Sequence, residues 1–322
     1  MSGPRALRAA MCITIWAVPG TTQDAHQPSS RLPALPLDAP SKQSLQSALL
    51  RHDYAFAENL LAAEARRNPA SQPLLLVLAD TLFLDGKQLN AVVVLKKAEL
   101  LGPLDEPSRL LLALSYVSLK RSALAASELH ALAQSHPSNA VYPYWLSRLA
   151  HKQMNYANAL VYAQRAVALQ PSFVKAMDQL GLCYSALGRN EEAIRAYRDA
   201  IRLGREQSLH WPWAALNLGT LYVRLGQYPE AETVLRESIA LEPQLPAAHF
   251  RLGQVLLKTA RVDEAVRELQ RAVLLDSTYP DPHYLIARIY REQGDLHSMA
   301  RELATFKSLK DADTRKGVTR PN

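Results

Sequence analysis

Cysteine is scarce: the 322 residues hold two, Cys12 and Cys183. Cys12 lies in an N-terminal stretch expected to be removed, and a single remaining thiol cannot close an internal disulfide. Cys183 reads as a small buried hydrophobe. The chain also lacks a glycine-rich phosphate loop, a His-Glu-x-x-His helix and a nucleophile elbow. No catalytic constellation is therefore expected, and no cofactor. The one sustained apolar run near the N-terminus, Ala9 to Val18, is too short to cross a bilayer. Lys and Arg outnumber Asp and Glu by 37 to 30, for a net charge of +7 and a pI near 9.4. They are not gathered into dense runs, which speaks against nucleic-acid binding.

Against these absences stands a period. Prolines at 69, 103, 137 and 171 are each 34 residues apart, and Pro243 follows after two periods plus four residues. A fixed spacing of that length implies a stack of two-helix units in place of one globular core. With Val174 as position 1, Leu180, Gly181, Tyr184, Gly188, Ala193, Tyr197 and Ala200 fall at 7, 8, 11, 15, 20, 24 and 27. One step on, beyond a four-residue insertion near Leu209–Pro212, the same slots hold Leu218, Gly219, Tyr222, Gly226, Ala231, Leu235 and Ser238. The next steps give Leu252, Gly253, Leu256, Ala260, Ala265, Leu269 and Ala272, then Ile286, Ala287, Tyr290, Gly294, Met299, Leu303 and Phe306. Stepping back from 174 recovers four more units, the first of them the weakest.

Each slot has a physical reason. Apolar residues at 4, 7 and 11 give positions 1–14 one buried stripe, which predicts a helix A. Those at 20, 24 and 27 predict a helix B. Small residues at 8 and 20 let the two helices approach closely. Glycine at 15 ends helix A where a positive φ costs it nothing, and proline at 32 stops helix B.

This pattern resembles the tetratricopeptide repeat, most closely over Leu180-Gly181-Leu182-Cys183-Tyr184-Ser185-Ala186-Leu187-Gly188-Arg189-Asn190-Glu191-Glu192-Ala193. The resemblance covers about six-sevenths of the chain and implies an all-α fold: an α-solenoid, a right-handed superhelix of about eight helix–turn–helix units. The units are expected near 38–71, 72–105, 106–139, 140–173, 174–207, 212–245, 246–279 and 280–313. Arg205 and Ser277 replace the closing proline, and the large Met299 and Phe306 mark the last unit as a cap. Residues 1–20, with Arg5 and Arg8 before the apolar run, read as a signal peptide or else as an unstructured end. Export to the periplasm or medium of a bacterium follows from the first reading, and a cytoplasmic protein from the second. Residues 21–37 read as a flexible Pro/Ser/Gln-rich spacer, and 314–322 as a basic tail.

The resemblance also implies that helix A lines a concave groove through positions 2, 5, 6, 9, 12 and 13. In units four to eight those positions carry eight Lys or Arg, three acids and five aromatics. The candidate peptide-binding residues are Tyr144, Trp145, Arg148 and Lys152 in unit four, and Lys175 in unit five. Trp213, Asn217 and Arg224 follow in unit six, Phe250, Arg251, Gln254 and Lys258 in unit seven, and Tyr284, Arg288 and Arg291 in unit eight. In units two and three the groove positions are mostly apolar: Leu76, Val77, Phe83, Leu84, Leu110, Leu111, Leu114 and Val117. Asn217 and Arg251 fall on two slots of the family's carboxylate clamp, but Asp178 and Leu182 stand where Lys and Asn belong, so that clamp is incomplete. Trp211 and Trp213 offer either an exposed aromatic contact or packing over an irregular joint. His249 and His283, at position 4 of neighbouring units, could bridge a metal, but a packing role accounts for them without one.

The expected function is a non-enzymatic scaffold holding a protein or peptide, acidic in part, with no nucleic acid and no membrane span. A self-associating module docking through the apolar grooves is the alternative, with an RNA-binding helical repeat behind it.

Overall fold

The computed structural model describes residues 28–318. They are helical apart from short connections, with no strand among them. After a 3-10 turn at Pro28–Ala34 come α1 (Ala39–Leu50), α2 (Tyr54–Arg67), α3 (Gln72–Leu84) and α4 (Gln88–Glu99). Next are α5 (Glu106–Ser118), α6 (Ser122–Ser135), α7 (Val141–Lys152) and α8 (Tyr156–Leu169). These eight form one compact block, ending at Leu169. A second block begins at Gln170 and holds α9 (Val174–Ala186), α10 (Asn190–Glu206), α11 (Trp213–Leu225), α12 (Tyr228–Leu241), α13 (Pro246–Lys258), α14 (Val262–Leu275), α15 (Pro280–Glu292) and α16 (Leu296–Val318). Odd-numbered helices are the A helices of the repeats and even-numbered ones the B helices. Every A helix packs on the B helix that follows. Consecutive A helices also touch, α3 on α5 in the first block and α9 on α11 on α13 in the second, whereas consecutive B helices make no comparable contact. Where consecutive repeats touch through like helices, within each block, it is therefore the A helices that meet, and this side is called the inner row.

Two backbone devices shape the repeats. The first is the turn at position 15, which is left-handed throughout. Gly86, Gly188, Gly226 and Gly294 have φ of 74–79° there, and His52, Lys120, Met154 and Ala260 take φ of 58–60° without glycine's freedom. The second is the close approach at position 8. A Cβ on Gly181 would lie 2.6 Å from the Tyr197 ring, on Gly219 2.6 Å from Leu235 Cγ, and on Gly253 2.8 Å from Leu269 Cγ. The partners are position 24 of the paired B helix and are wholly buried, so they cannot swing aside. The insertion has a simple cause. Arg205 stands where proline would stop the helix, and α10 runs to Glu206, three residues longer than α12 or α14. The left-handed turn then falls at Ser208, with φ of 51°.

The expected spacer is corrected over the part the structure describes. Residues 28–34 form the 3-10 turn, Leu32 and Leu35 are buried, and Arg31 donates to Asp80 Oδ2 at 3.0 Å and to both oxygens of Asp105 at 3.1 Å. Apolar residues at 32 and 35 and one arginine outweigh the segment's proline content. The expected signal peptide lies outside the described residues. Of the expected basic tail, residues 314–318 extend α16 and the remainder lies outside the described residues. No helix among the described residues is long and apolar enough to cross a membrane.

Burial, opposed by the charge of Arg31, pushes the Asp80 carboxyl up to about 7. A carboxyl whose native pKa is raised binds its proton more tightly folded than unfolded. Its contribution to stability is complete below the unfolded value of 3.8 and is lost as pH rises through about 7. Urea midpoints should therefore fall between pH 4 and 7, and Asp80→Asn should flatten that slope. Gly219→Ala should cost about 1–3 kcal/mol by overpacking, although alanine is the better helix former by roughly 1 kcal/mol. Ala260→Gly should instead stabilise by about 0.5–1 kcal/mol by relieving a left-handed turn; urea denaturation of both variants checks the pair.

Candidate peptide-binding groove

In the second block the groove positions of three A helices converge on one cavity of about 320 Å³. Leu182 and Ser185 come from α9, Asn217, Thr220, Val223 and Arg224 from α11, and Arg251 from α13; Tyr197 of α10 and Leu221 complete the lining. The walls are apolar and hydroxyl-bearing, and no carboxylate lines them. Arg224 Nη2 donates to Asn190 Oδ1 at 3.2 Å, to Ser185 Oγ at 3.1 Å and to the Ser185 carbonyl at 3.3 Å. Arg251 Nη1 donates to Gln254 Oε1 at 2.8 Å, and its guanidinium lies 5.4 Å from the Phe250 ring centroid. Neither arginine forms a salt bridge with any described residue. On or beside the B helices several arginines are instead paired with acids. Arg261 is bidentate to Glu232, at 2.9 and 2.8 Å, and also grips Glu264, while Arg205 holds Glu237. Hydrogen bonds from Arg261 hold the Glu264 carboxyl below the usual carboxylate range.

The cavity is braced from below by a buried network that the insertion builds. Trp211 Nε1 donates to Asp178 Oδ2 at 3.0 Å, and Asn217 Nδ2 donates to Asp178 Oδ1 at 2.9 Å. The Trp211 indole packs with Val174, Ala200 and Ala214, and the Lys175 ammonium lies 5.0 Å from its ring centroid. Trp211 thus packs over the irregular joint, and Trp213 is half-buried against the core of the same block.

The candidate residues divide accordingly. Asn217, Arg224 and Arg251 meet in the cavity, with Phe250 and Gln254 beside Arg251. Lys175 is corrected: it is 3% exposed beneath Trp211 and faces no open groove. Lys258, Arg288 and Arg291 are exposed but do not line the cavity, and Arg288 lies 3.9 Å from Glu292. Tyr284 stacks on Phe306 at 5.4 Å between centroids. In the first block Tyr144 and Trp145 are buried, Arg148 lies over both rings at 5.7 and 4.5 Å, and Lys152 is exposed. Of the apolar groove positions of repeats two and three, Leu76, Val77, Phe83, Leu110, Leu111 and Leu114 are buried, and Leu84 and Val117 are half-buried. His249 and His283 are buried, each with Nδ1 on a B-helix carboxylate, Glu268 at 2.7 Å and Glu302 at 2.6 Å. Cys183 is fully buried. Sequence reasoning missed Tyr197 as a cavity wall, since position 24 reads only as core. It also missed Asp178 as a brace, because its partner Trp211 lies in an insertion with no counterpart in the other repeats.

These features define a helical-hairpin repeat protein of the α-solenoid class. Models of the tetratricopeptide repeat match residues 110–172, 172–243 and 222–289, together more than half of the chain, which belongs to the tetratricopeptide repeat family. No curated protein matches it. Among solved structures, a tetratricopeptide repeat protein from Parabacteroides merdae is similar, with a TM-score of 0.63 at 16% identity, covering 83% of this chain and 98% of that one. PilW, a widely conserved type IV pilus biogenesis factor, gives 0.57 at 18% identity, over 63% of this chain and 92% of that one. The APC/C hetero-tetramer Cut9–Hcn1 gives 0.55 at 21% identity over 90% of this chain, which spans about half (54%) of its counterpart. At these identities the likeness is one of fold.

Asp178→Ala would leave the Trp211 N–H and the Asn217 amide without their acceptor. A loss of about 2–4 kcal/mol in urea denaturation is expected, with a red-shifted tryptophan emission; an unchanged midpoint would remove the brace from the account.

Proposed function

We propose that this chain is a non-enzymatic scaffold that holds a protein or peptide along the A helices of its second block, with an acidic group of the partner between Arg224 and Arg251. The observation that carries the reading is the pairing contrast. Several arginines on or beside the B helices, Arg205, Arg236 and Arg261 among them, are matched by glutamates, while the two in the cavity have only neutral acceptors and lie in walls without a carboxylate. A guanidinium held by neutral groups keeps its charge available for a bidentate carboxylate. Leu182, Val223 and Leu221 supply apolar contact, and Asn217 and Thr220 supply orienting hydrogen bonds. The Asp178 brace fixes Asn217 in place before any partner arrives, which lowers the ordering cost of binding. The tetratricopeptide repeat fold, which typically serves as a scaffold without chemistry of its own, supports the same reading.

The test is selection of twelve-residue peptides from a displayed random library on the wild-type chain. Selected peptides should be enriched in Asp and Glu. The double variant Arg224→Glu, Arg251→Glu should bind them at least about ten-fold more weakly, while Lys258→Glu, away from the cavity, should change little. Peptides without acidic enrichment that bind the double variant equally well would refute the reading.

A further inference from the structure

The first block carries a groove contact of the opposite polarity. The 3-10 turn at residues 28–34 does not cap the end of the stack. It lies on the inner row, against α1 and α3, both of them A helices. Its Arg31 reaches Asp80, which occupies position 9 of its repeat, the position held by Leu182 and Thr220 in the cavity of the second block. The guanidinium bridges two carboxylates, one oxygen of Asp80 and both of Asp105. Leu32 and Leu35 flank it at 6% and 3% exposure. Asp80 is itself 3% exposed, and its Oδ1 is buried with no hydrogen-bond partner among the described residues. A buried carboxylate oxygen without a donor is costly. It leaves an acceptor beside the one that Arg31 fills.

We propose that the inner face of repeats one and two is a second peptide-binding site, taking an arginine followed by leucines, and that residues 31–35 occupy it in cis as a competing ligand. The Asp80–Asp105 pair recognises the guanidinium in a two-carboxylate geometry that a lysine ammonium cannot span equally. The leucines are buried where the segment packs on α1 and α3, so a trans ligand would need apolar side chains at the same places. Pro33 and Pro36 stiffen the segment, and only Pro36, Leu37 and Asp38 separate Leu35 from α1. So short a tether gives an effective concentration on the order of millimolar. A partner in trans must therefore outcompete the segment, and the site responds only to ligands that bind tightly or arrive at high local concentration.

The probe is a fluorescein-labelled peptide spanning residues 28–38, titrated by fluorescence anisotropy into the full chain. The variant Arg31→Ser, Leu32→Ser, Leu35→Ser should bind it at least about ten-fold more tightly than wild type, while keeping the wild-type far-ultraviolet helical signal. Adding Asp80→Asn, or replacing the peptide's arginine by glutamine, should abolish that gain. An opened chain with intact helical signal that binds the peptide no better than wild type overturns the proposal. Should the triple variant lose helix, hydrogen exchange on the wild-type chain decides. The amides of Leu35 and Leu37, bonded to Leu32 and Leu35 carbonyls, should exchange faster as the peptide is added to millimolar concentration. Protection that does not change across that range overturns the proposal equally.

Discussion

How closely helix A can lie on helix B is the constraint from which the rest follows. At position 8 the chain gives up a side chain in three repeats of the second block, and the space is filled by Tyr197, Leu235 or Leu269 from position 24. The first block uses Ala79, Ala113 and Ser147 at the same position, all buried, and Ser147 adds a hydrogen bond to the Ala159 carbonyl across the pair at 2.8 Å. In the second block tight hairpins bring the A helices α9, α11 and α13 side by side. That row brings side chains from three successive repeats, 182 to 251 in number, around one cavity. A looser hairpin would spread the same residues beyond the reach of a single ligand group.

Charge is then distributed by face. On the B-helix side several arginines pair with glutamates, as Arg261 at the start of α14 does with Glu232 and Arg236 does with the same residue. The inner row is unbalanced, and in opposite senses in the two blocks. The cavity lined by Arg224 and Arg251 has no acid in its walls, the nearby Asp178 being held beneath by Trp211 and Asn217, while at Asp80 a second donor is lacking among the described residues. The basic pI of the chain is thus a poor guide to what it binds, because a charge already paired on the surface is less available to a partner.

What could be read from the sequence is what repeats. The period placed the hairpins, and the glycines at 181, 219 and 253 and the left-handed turns at 86, 188, 226 and 294 follow from single slots. Contacts made once per chain could not be read that way. Arg31 and Asp80 are 49 residues apart and belong to no shared slot, although a lone acid within the apolar run Leu74–Leu84 was a signal available to inspection. Lys175 fits the groove pattern yet is covered by Trp211, because the missing proline at Arg205 lengthens α10 and returns the chain over the joint. Positional rules describe an average repeat, and both misjudged segments lie where this chain departs from that average.

The most direct test of the inner row as the working surface is an amide chemical-shift map of the chain titrated with an acidic peptide that binds it. Shifts should concentrate on Leu182, Ser185, Thr220, Val223, Arg224 and Arg251, with the B helices α12 and α14 unaffected. Shifts confined to α12 and α14, with the cavity residues unmoved, would contradict the account.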